Sequence, residues 1–500
     1  MQIKQIEFLN GENKRISSDD VKWSIDENKL SVATDNIKKI YLKTGVKIDD
    51  DTLVLADAFE RAYGDLEWEK TQNKLCAWYF LAKKGEEISA FGIKTQPNAI
   101  CWWKIENGEV YFIADVGSGK NGVVLNGRVL EVCTFVEEKY NTDAFEAACD
   151  FCKKMCDNKR LPKKPIYGGN DWYCNYGSNS YKKIIEHTKR IAECAKGLEN
   201  RPYMVVDDGW QLCNHNIDGE ETYYNGGPWS YPNRRFGDMK ALAEEIKSYG
   251  VLPGIWFRPL YTIESLPIDI MLRQNGIRYT LDPSVKETLE IVEKDVKTIK
   301  SWGYKLIKHD FSTFDIFGKY GYCIDENTTD ELEFKDKTRT TAEIIKDFYK
   351  TIRDAAGDDV VLIGCNTLSH LSAGYFEIQR TGDDTSGIEW ARTKEMGVNT
   401  LAFRMCQHNN FYSHDADCVG ITTEIDWNKN KQWLDVLSKS ATPLFVSIAE
   451  DAFSDEVKSA ITEAFKIASV NTTISIPVDW IGNKTPQEWI SAFGKEEYDF

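Results

Sequence analysis

After Pro165 the sequence alternates short apolar runs with amphipathic segments, and this alternation restricts the chain to a fold built on a parallel sheet. A run that is apolar throughout indicates a strand buried on both faces. The predicted strands are Pro165–Gly169, Tyr203–Val206, Leu252–Phe257, Leu306–Lys308, Val360–Gly364, Phe376–Gln379, Leu401–Met405 and Leu444–Ser447. Cys418–Ile421 competes with Leu401–Met405 for the seventh strand.

Helical segments separate these strands. One is predicted to begin after Asp238, and another has Asp282 as its N-cap, Pro283 in its first turn and Gly303 as its stop. Eight strand–helix units in roughly three hundred residues favour a closed (β/α)8 barrel, the TIM barrel, over an open doubly wound sheet. No GxGxxG turn follows any predicted strand, which weakens the case for a nucleotide-binding fold.

The residues before the barrel have the pattern of antiparallel β-structure. Short apolar runs separated by charged or glycine-containing turns predict a β-sandwich-like N-terminal domain: Leu53–Leu55, Trp78–Leu81, Val110–Ile113 and Val123–Leu125. A helix over about Thr142 to Lys159 and a proline-containing linker follow. The predicted division is a β-rich domain over 1–140, a helix and linker over 141–164, the catalytic barrel over 165–472 and a short tail over 473–500.

Charge and composition restrict the classes of molecule that this chain is expected to bind. The formal charge is −17, from 62 basic and 79 acidic residues, and a surface of that sign repels nucleic acids and anionic membranes. The N-terminus lacks the apolar region of a signal peptide, and the 13 cysteines are scattered, so we expect a cytoplasmic protein with reduced thiols. Cys149, Cys152 and Cys156 share a helical face, but no matching ligand group follows, and we predict neither metal nor cofactor.

Acidic and aromatic residues recur where the predicted strands end, which is where barrels of this kind hold their active sites. The strand ends carry Asn170-Asp171-Trp172, Asp207-Asp208-Gly209-Trp210, Trp256-Phe257-Arg258, Lys308-His309-Asp310, Cys365-Asn366 and Arg380-Thr381-Gly382-Asp383-Asp384. Any single Asp here could equally be a helix cap, as for Asp171 or Asp384. The combination of several acids with Trp and Lys favours a pocket for a polyhydroxylated ligand.

These motifs, in this order, resemble glycoside hydrolase clan D, the group of α-galactosidases and raffinose synthases. The likeness covers about Pro165 to Ser447 and rests on seven pieces: Val205–Gln211, Gly254–Phe257, Leu281–Ser284, Lys308–Asp310, Arg380–Asp384, Asp415–Cys418 and Thr442–Ser447. Each motif alone is weak evidence for the clan, but the seven motifs in this order are specific to it. The resemblance implies a retaining, exo-acting α-glycoside hydrolase acting on an oligosaccharide or glycoside, and α-galactosidase activity is the first expectation.

The resemblance also implies residue roles. Asp310 matches the clan's nucleophile and Asp383 its acid/base, with Asp384 as the alternative if the turn shifts by one residue. Asp207 and Asp208 match the pair that binds sugar hydroxyls. Further candidates for substrate binding are Trp172, Trp210, Trp256, Arg258, Lys308, Cys365, Arg380 and Asp384.

Three departures from the clan leave the substrate open. Arg258 stands where many members have Glu, and it either meets a polar or anionic substituent or, as we prefer, pairs with a barrel carboxylate. The loop Cys365–His370 lacks the clan's glycines, which leaves galactose, N-acetylgalactosamine or another sugar open. His309 replaces a common aromatic residue.

A proton on Asp383 is favoured by the charge of Asp310 and opposed by Arg380, and the sequence does not decide between them.

Rival functions remain at this point. A metal-dependent hydrolase is suggested by His408, His414, Asp415 and Asp417, although a satisfied polar network is the preferred explanation. A transglycosylase of the raffinose synthase type uses the same intermediate with a sugar acceptor. An inactive carbohydrate-binding barrel is disfavoured, because a binder needs neither Asp310 nor Asp383. The sequence does not indicate an oligomeric state.

Overall fold

The barrel is present in the structure, a computed structural model that describes residues 2–212 and 224–500. Parallel strands pair in chain order, and the last pairs with the first. Their bounds are Tyr167–Asn170, Tyr203–Val206, Leu252–Phe257, Leu306–His309, Val361–Gly364, Ile378–Arg380, Ser413–Asp415, Val419–Ile421 and Leu444–Ile448. Strands such as Tyr203–Val206 and Leu306–His309 are buried along their whole length, as their apolar runs predict.

The seventh strand is divided into two pieces. Ser413–Asp415 pairs with the sixth strand and Val419–Ile421 with the eighth, so the ring closes across a break at 416–418. At the break, Asp417 has a φ of 82°, which ends regular pairing. The prediction of Leu401–Met405 as the seventh strand is wrong, because Asn399–Arg404 is a buried α-helix, and the competing run at Cys418–Ile421 supplies the second piece.

Helices connect the strands around the outside of the barrel. The main helices are Tyr181–Cys194, Met239–Ser248, Lys286–Ser301, Thr341–Ala356, Ser369–Ser372, Asn399–Arg404, Trp427–Lys439 and Asp455–Ala468, and the short helices Trp172–Asn175, Ser312–Phe317 and Trp390–Arg392 lie in the connections. The helix predicted to begin after Asp238 is Met239–Ser248, and Asp238 is its N-cap. The predicted N-cap role of Asp282 is wrong: its carboxylate instead accepts hydrogen bonds from the backbone of Ser284 and Lys335, both at 2.8 Å, and joins two loops.

The N-terminal residues form a twelve-stranded antiparallel sheet, in agreement with the predicted β-structure. Its strands are Ile3–Asn10, Arg15–Ile16, Trp23–Asp26, Lys29–Val32, Ile37–Lys47, Leu53–Asp57, Glu69–Lys70, Asn73–Lys84, Glu87–Ile93, Ile100–Glu106, Glu109–Asp115 and Leu130–Tyr140. Val123–Leu125, predicted as a strand, makes only an isolated bridge between Val123 and Ile37. The predicted helix after the sheet is Ala144–Met155, capped by Asp143.

The C-terminal residues add a small antiparallel sheet of Ile476–Pro477, Glu488–Ser491 and Gly494–Glu497, where the sequence indicated only a tail. The domain limits drawn from the sequence stay predictions. Across the described residues, no helix has both the length and the apolar composition needed to span a bilayer.

One segment of the N-terminal sheet domain reaches the rim of the barrel. The backbone N–H of Ala62 donates to the carbonyl of Thr381 at 2.7 Å, and the N–H of Asp383 donates to the carbonyl of Ala62 at 2.8 Å. The buried guanidinium of Arg404 pairs with Asp57 at 2.8 Å from the same segment. The residues around Ala62 therefore lie at the end of the sixth barrel strand.

His309, at the end of the fourth strand, is fully buried among apolar side chains. Its ring packs edge-on against Phe376, with centroids 4.5 Å apart, and neither ring nitrogen has a hydrogen-bond partner among residues 2–212 and 224–500. Burial lowers the pKa of His309 from 6.5 to about 3. The unfolded chain therefore takes up a proton below about pH 6.5 that the folded protein does not, and the wild type loses stability as the pH falls.

His309→Phe removes this titration, so the variant should lose about 2 kcal/mol less of its free energy of unfolding between pH 7 and pH 5 than the wild type. Urea titrations at both pH values measure the difference. Any constant packing effect of Phe cancels between the two pH values. Identical pH dependence in both proteins would contradict this account of His309.

Candidate active site

The carboxyl ends of the barrel strands surround a cavity of about 350 Å³. Its walls come from strands one, two, three, four and six and from the N-terminal sheet domain. The lining residues are Arg61, Tyr63, Trp172, Asp207, Asp208, Asn225, Trp256, Lys308, Asp310, Phe311, Tyr320, Tyr322, Asp383, Asp384 and Arg392. The two predicted catalytic carboxylates, Asp310 and Asp383, thus face one cavity, together with six of the predicted binding residues.

Asp310 stands directly after the fourth strand, in a fixed orientation. The indole N–H of Trp256 donates to one carboxylate oxygen at 3.1 Å, and the backbone N–H of Phe311 donates to the other at 2.6 Å. Phe311 has a φ of 60°, and this left-handed turn brings its N–H back onto the preceding side chain. Both oxygens of Asp310 are therefore held by hydrogen bonds before any ligand arrives.

Asp207 and Lys308 form a buried ion pair in the same cavity. Lys308 Nζ and Asn170 Nδ2 both donate to Asp207 Oδ2, at 2.8 and 2.7 Å, while the backbone N–H of Asp208 donates to Oδ1 at 2.9 Å. Burial acts to lower the pKa of Lys308, but the Asp207 carboxylate outweighs it and raises the pKa well above the usual value. Lys308 is therefore a permanent cation that fixes Asp207.

Asp171 supports this wall from beneath. Its carboxylate accepts a hydrogen bond from the backbone N–H of Asp207 at 2.7 Å and is fully buried. Burial, together with the neighbouring charge of Asp207, raises the pKa of Asp171 to about 7. Asp171 holds the backbone of the pocket residue and does not itself line the cavity.

Asp383 is held by two arginines from different parts of the chain. Arg61 Nη1 lies 3.0 Å from Asp383 Oδ1, and Arg392 Nη2 donates to Oδ2 at 2.7 Å. Arg380, the cation expected beside Asp383, turns away: it pairs with Asp384 and Asp417, each at 2.8 Å. The cations beside Asp383 are therefore Arg61 and Arg392, neither of which directly follows a barrel strand.

Asp384 occupies a different environment from its neighbour. Burial acts to raise the pKa of Asp384, but the charges of Arg380, Arg61 and Lys308 together lower it below the usual value. Arg380 in turn is anchored on Asp417, whose carboxylate also accepts a hydrogen bond from the backbone N–H of Thr385 at 2.8 Å. Asp384 is thus the outer end of a structural ion-pair chain.

Four predicted site residues are buried and do not line the cavity: Trp210, Arg258, Cys365 and Arg380. Trp210 donates its indole N–H to the carbonyl of Trp256 at 2.8 Å. Arg258 pairs with the carboxylate of Asp315, with Nε 2.9 Å from Oδ2, so the preferred interpretation of Arg258 as the partner of a barrel carboxylate is confirmed. Burial raises the pKa of the Cys365 thiol well above its usual value.

Sequence patterns missed several lining residues. Arg61 and Tyr63 come from the N-terminal sheet domain, and Tyr320 and Tyr322 come from the loop after the fourth strand. The rings of Tyr320 and Tyr322 are stacked, 6.1 Å apart, and Tyr322 is 64% exposed. Asn225, Phe311 and Arg392 also went unassigned; for Phe311, the only clue was its position next to Asp310.

Glu60 connects the N-terminal sheet domain to two loops of the barrel. It is fully buried, and its carboxylate accepts hydrogen bonds from the backbone N–H of Gly321 and the side-chain amide of Asn366, both at 2.9 Å. Burial raises the pKa of Glu60. One residue of the N-terminal sheet domain thus joins two barrel loops beside the cavity.

The histidines considered as metal ligands have other partners. His414 contacts the hydroxyl of Thr381 through Nδ1, and the backbone N–H of His414 donates to His408 Nδ1 at 3.0 Å. Burial lowers the pKa of His408 to about 4. Within residues 2–212 and 224–500, no group of three or more His, Cys, Asp or Glu is arranged to hold a metal ion.

The fold is that of a (β/α)8 barrel preceded by an antiparallel β-domain, and solved α-galactosidases share it across the full chain. One from Thermus thermophilus, in complex with p-nitrophenyl α-D-galactopyranoside, is 14% identical, with a TM-score of 0.64 over 99% of both chains. A GH36 α-galactosidase from Geobacillus stearothermophilus, in complex with 1-deoxygalactonojirimycin, is 13% identical, with a TM-score of 0.61 over 93% of this chain and 70% of that chain. No protein-family model matches the sequence.

The buried pair of Arg258 and Asp315 gives a stability test. Arg258→Met leaves the Asp315 carboxylate buried without its main cation, so it should lower the free energy of unfolding by about 3–5 kcal/mol. The double variant R258M/D315L removes both charges and should recover much of that loss. Urea titrations of the three proteins measure both effects. A loss as large in the double variant as in Arg258→Met would show that packing, not charge, holds this wall.

Proposed function

We propose that this chain is a retaining, exo-acting α-glycoside hydrolase with Asp310 as nucleophile and Asp383 as acid/base. The observation that supports this most is that two carboxylates from separate parts of the chain line one cavity large enough for a sugar ring. Asp310 is oriented by two hydrogen bonds and stands on the barrel wall, as an attacking group requires.

In the first step, an Asp310 oxygen attacks the anomeric carbon while the bond to the leaving oxygen breaks. Asp383 gives its proton to that oxygen, and the sugar becomes esterified to Asp310. In the second step, Asp383 takes a proton from water, the water oxygen bonds to the anomeric carbon, and the Asp310 carboxylate departs. Two inversions give net retention, and they require carboxyl groups about 5–5.5 Å apart.

The part of the cavity that carries Asp207 and Asp208 suits the glycone. Both residues offer carboxylate oxygens to sugar hydroxyls, and the Lys308 ion pair holds Asp207 in place. Trp172 and Trp256 offer aromatic surface to the C–H face of a ring. Galactose is the first expectation for this position, because the structural neighbours are α-galactosidases, some in complexes with stachyose and raffinose.

Transglycosylation is a second candidate, because the cavity has an aromatic rim. Tyr63 packs edge-on against Tyr322 with centroids 4.9 Å apart, and Tyr320 stacks on Tyr322. Such a rim can hold a second sugar as acceptor in place of water. An α-glycosidase for another sugar, such as N-acetylgalactosamine, uses the same two carboxylates.

Asp310→Gly should lose turnover of aryl α-galactosides and regain it with sodium azide, because azide fits the space left by the carboxylate. The azide attacks the opposite face from the leaving group, so the product should be the β-galactosyl azide. NMR of the product measures the configuration. Recovery of α-azide, or an active Asp310→Gly enzyme without azide, would remove Asp310 from the nucleophile position.

Asp383→Ala should slow glycosides with poor leaving groups by about 10²–10⁴-fold, since these depend on proton donation. Activated leaving groups such as 2,4-dinitrophenol need no proton and should be affected far less. The ratio of kcat/KM for the two substrate types gives the result, and Asp384→Ala is the matched control at the neighbouring carboxylate. A larger leaving-group effect in Asp384→Ala would transfer the acid role to Asp384.

A further inference from the structure

The charged residues of the cavity form two groups. Asp207, Asp208, Asp310 and the Lys308 that pairs with Asp207 form one, and Arg61 and Arg392 with Asp383 and Asp384 form the other. The side chain of Arg61 is 7% exposed, that of Asp383 19% and that of Arg392 40%. The Asp383 carboxylate therefore receives two guanidinium groups, and Arg61 has only longer contacts, at 3.9 Å, with Glu60 and Asp384.

This arrangement conflicts with the first step of the proposed reaction. As an acid, Asp383 must be neutral when the glycosidic bond breaks. Protonation of Asp383 removes the nearest anion from both arginines and leaves the buried Arg61 only its longer contacts, at 3.9 Å, with Glu60 and Asp384. The loss of a close partner is costly for a buried charge. A neutral glycoside supplies nothing to replace the carboxylate.

We propose that the natural substrate is an α-glycoside whose leaving group carries an anion, a carboxylate, sulfate or phosphate, that binds Arg61 and Arg392 and releases Asp383 to take up its proton. This inference rests on the proposed function and specifies its substrate class. Guanidinium groups are well suited to such anions, because their donors match two oxygens at once.

The charge distribution places the anion on the leaving-group side. An anion on the glycone would meet Asp207 and Asp208, which repel it, whereas the two arginines flank Asp383, the proposed proton donor to the departing oxygen. Arg392 is exposed enough to be reached from solvent. Tyr320 and Tyr322 at the rim give the body of the leaving group an aromatic surface.

Arg61 is held rigidly enough to select a ligand. Its neighbour Ala62 is fixed by two backbone hydrogen bonds to the loop of Asp383, and its neighbour Glu60 is buried among three partners, including Tyr63 at 2.6 Å. The guanidinium of Arg61 also lies over the ring of Tyr63, 5.6 Å from the centroid. A preorganised cation of this kind binds an anion without the entropy cost of ordering a free side chain.

Inorganic sulfate is the direct probe, measured by calorimetry on the intact protein at constant ionic strength. Asp383→Asn removes the internal anion and should bind sulfate about 10-fold more tightly than the wild type, because both arginines become available. Arg392→Gln in the same Asp383→Asn background should reverse that gain. Arg15→Gln, which changes a 78% exposed arginine paired with Glu7 on the N-terminal sheet, is the matched control and should change nothing. Equal sulfate binding by Asp383→Asn and wild type would overturn the proposal.

A second measurement compares 4-nitrophenyl α-galactoside with its 3-carboxy-4-nitrophenyl analogue. The wild type should prefer the anionic substrate by about 10-fold in kcat/KM, and Arg392→Gln should lose that preference. Equal or better use of the neutral substrate by the wild type would overturn this inference and leave the glycosidase assignment intact. Turnover of neither substrate would contradict the proposed function, and the sulfate titrations would still decide whether the two arginines form an anion site.

Discussion

The site depends on the backbone bridge between Ala62 and the loop after the sixth barrel strand. Two hydrogen bonds, at 2.7 and 2.8 Å, join Ala62 to Thr381 and Asp383 as if a short strand had been added to the barrel rim. The buried Arg404 strengthens the junction, because it pairs with Asp57 and also donates to the carbonyl of Thr381 at 3.0 Å. This junction places Arg61 against Asp383, so the barrel alone does not complete the cavity.

A chain of buried charges supports the other wall. Asp171 holds the backbone of Asp207, Asp207 holds Lys308, and each charged group is tolerated because a partner lies within 3 Å. The two walls therefore differ in origin. The Asp207 side is built within the barrel from strand ends, whereas the Asp383 side is assembled from the barrel and the N-terminal sheet domain together.

The sequence predicted the parts that follow from local pattern. Tyr203–Val206 and Leu252–Phe257 were located to the residue, because continuous apolar runs mark strands buried on both faces. For the same reason, Leu401–Met405 was wrongly predicted as a strand. A short apolar run is also typical of a buried helix, and periodicity does not distinguish a strand from a helix over so few residues. Arg61 was beyond such reasoning, because its place beside Asp383 arises from docking between segments more than three hundred residues apart.

The break in the seventh strand limits which loops can be exchanged at this rim of the barrel. Asp417, turned inward at the break, anchors Arg380 and the backbone of Thr385, so it fixes both sides of the segment that carries Asp383 and Asp384. That segment is not an independent module. A foreign sequence grafted between Arg380 and Thr385 would therefore have to be compatible with the interrupted seventh strand. Without the contacts to Asp417, the grafted turn would not be held in place.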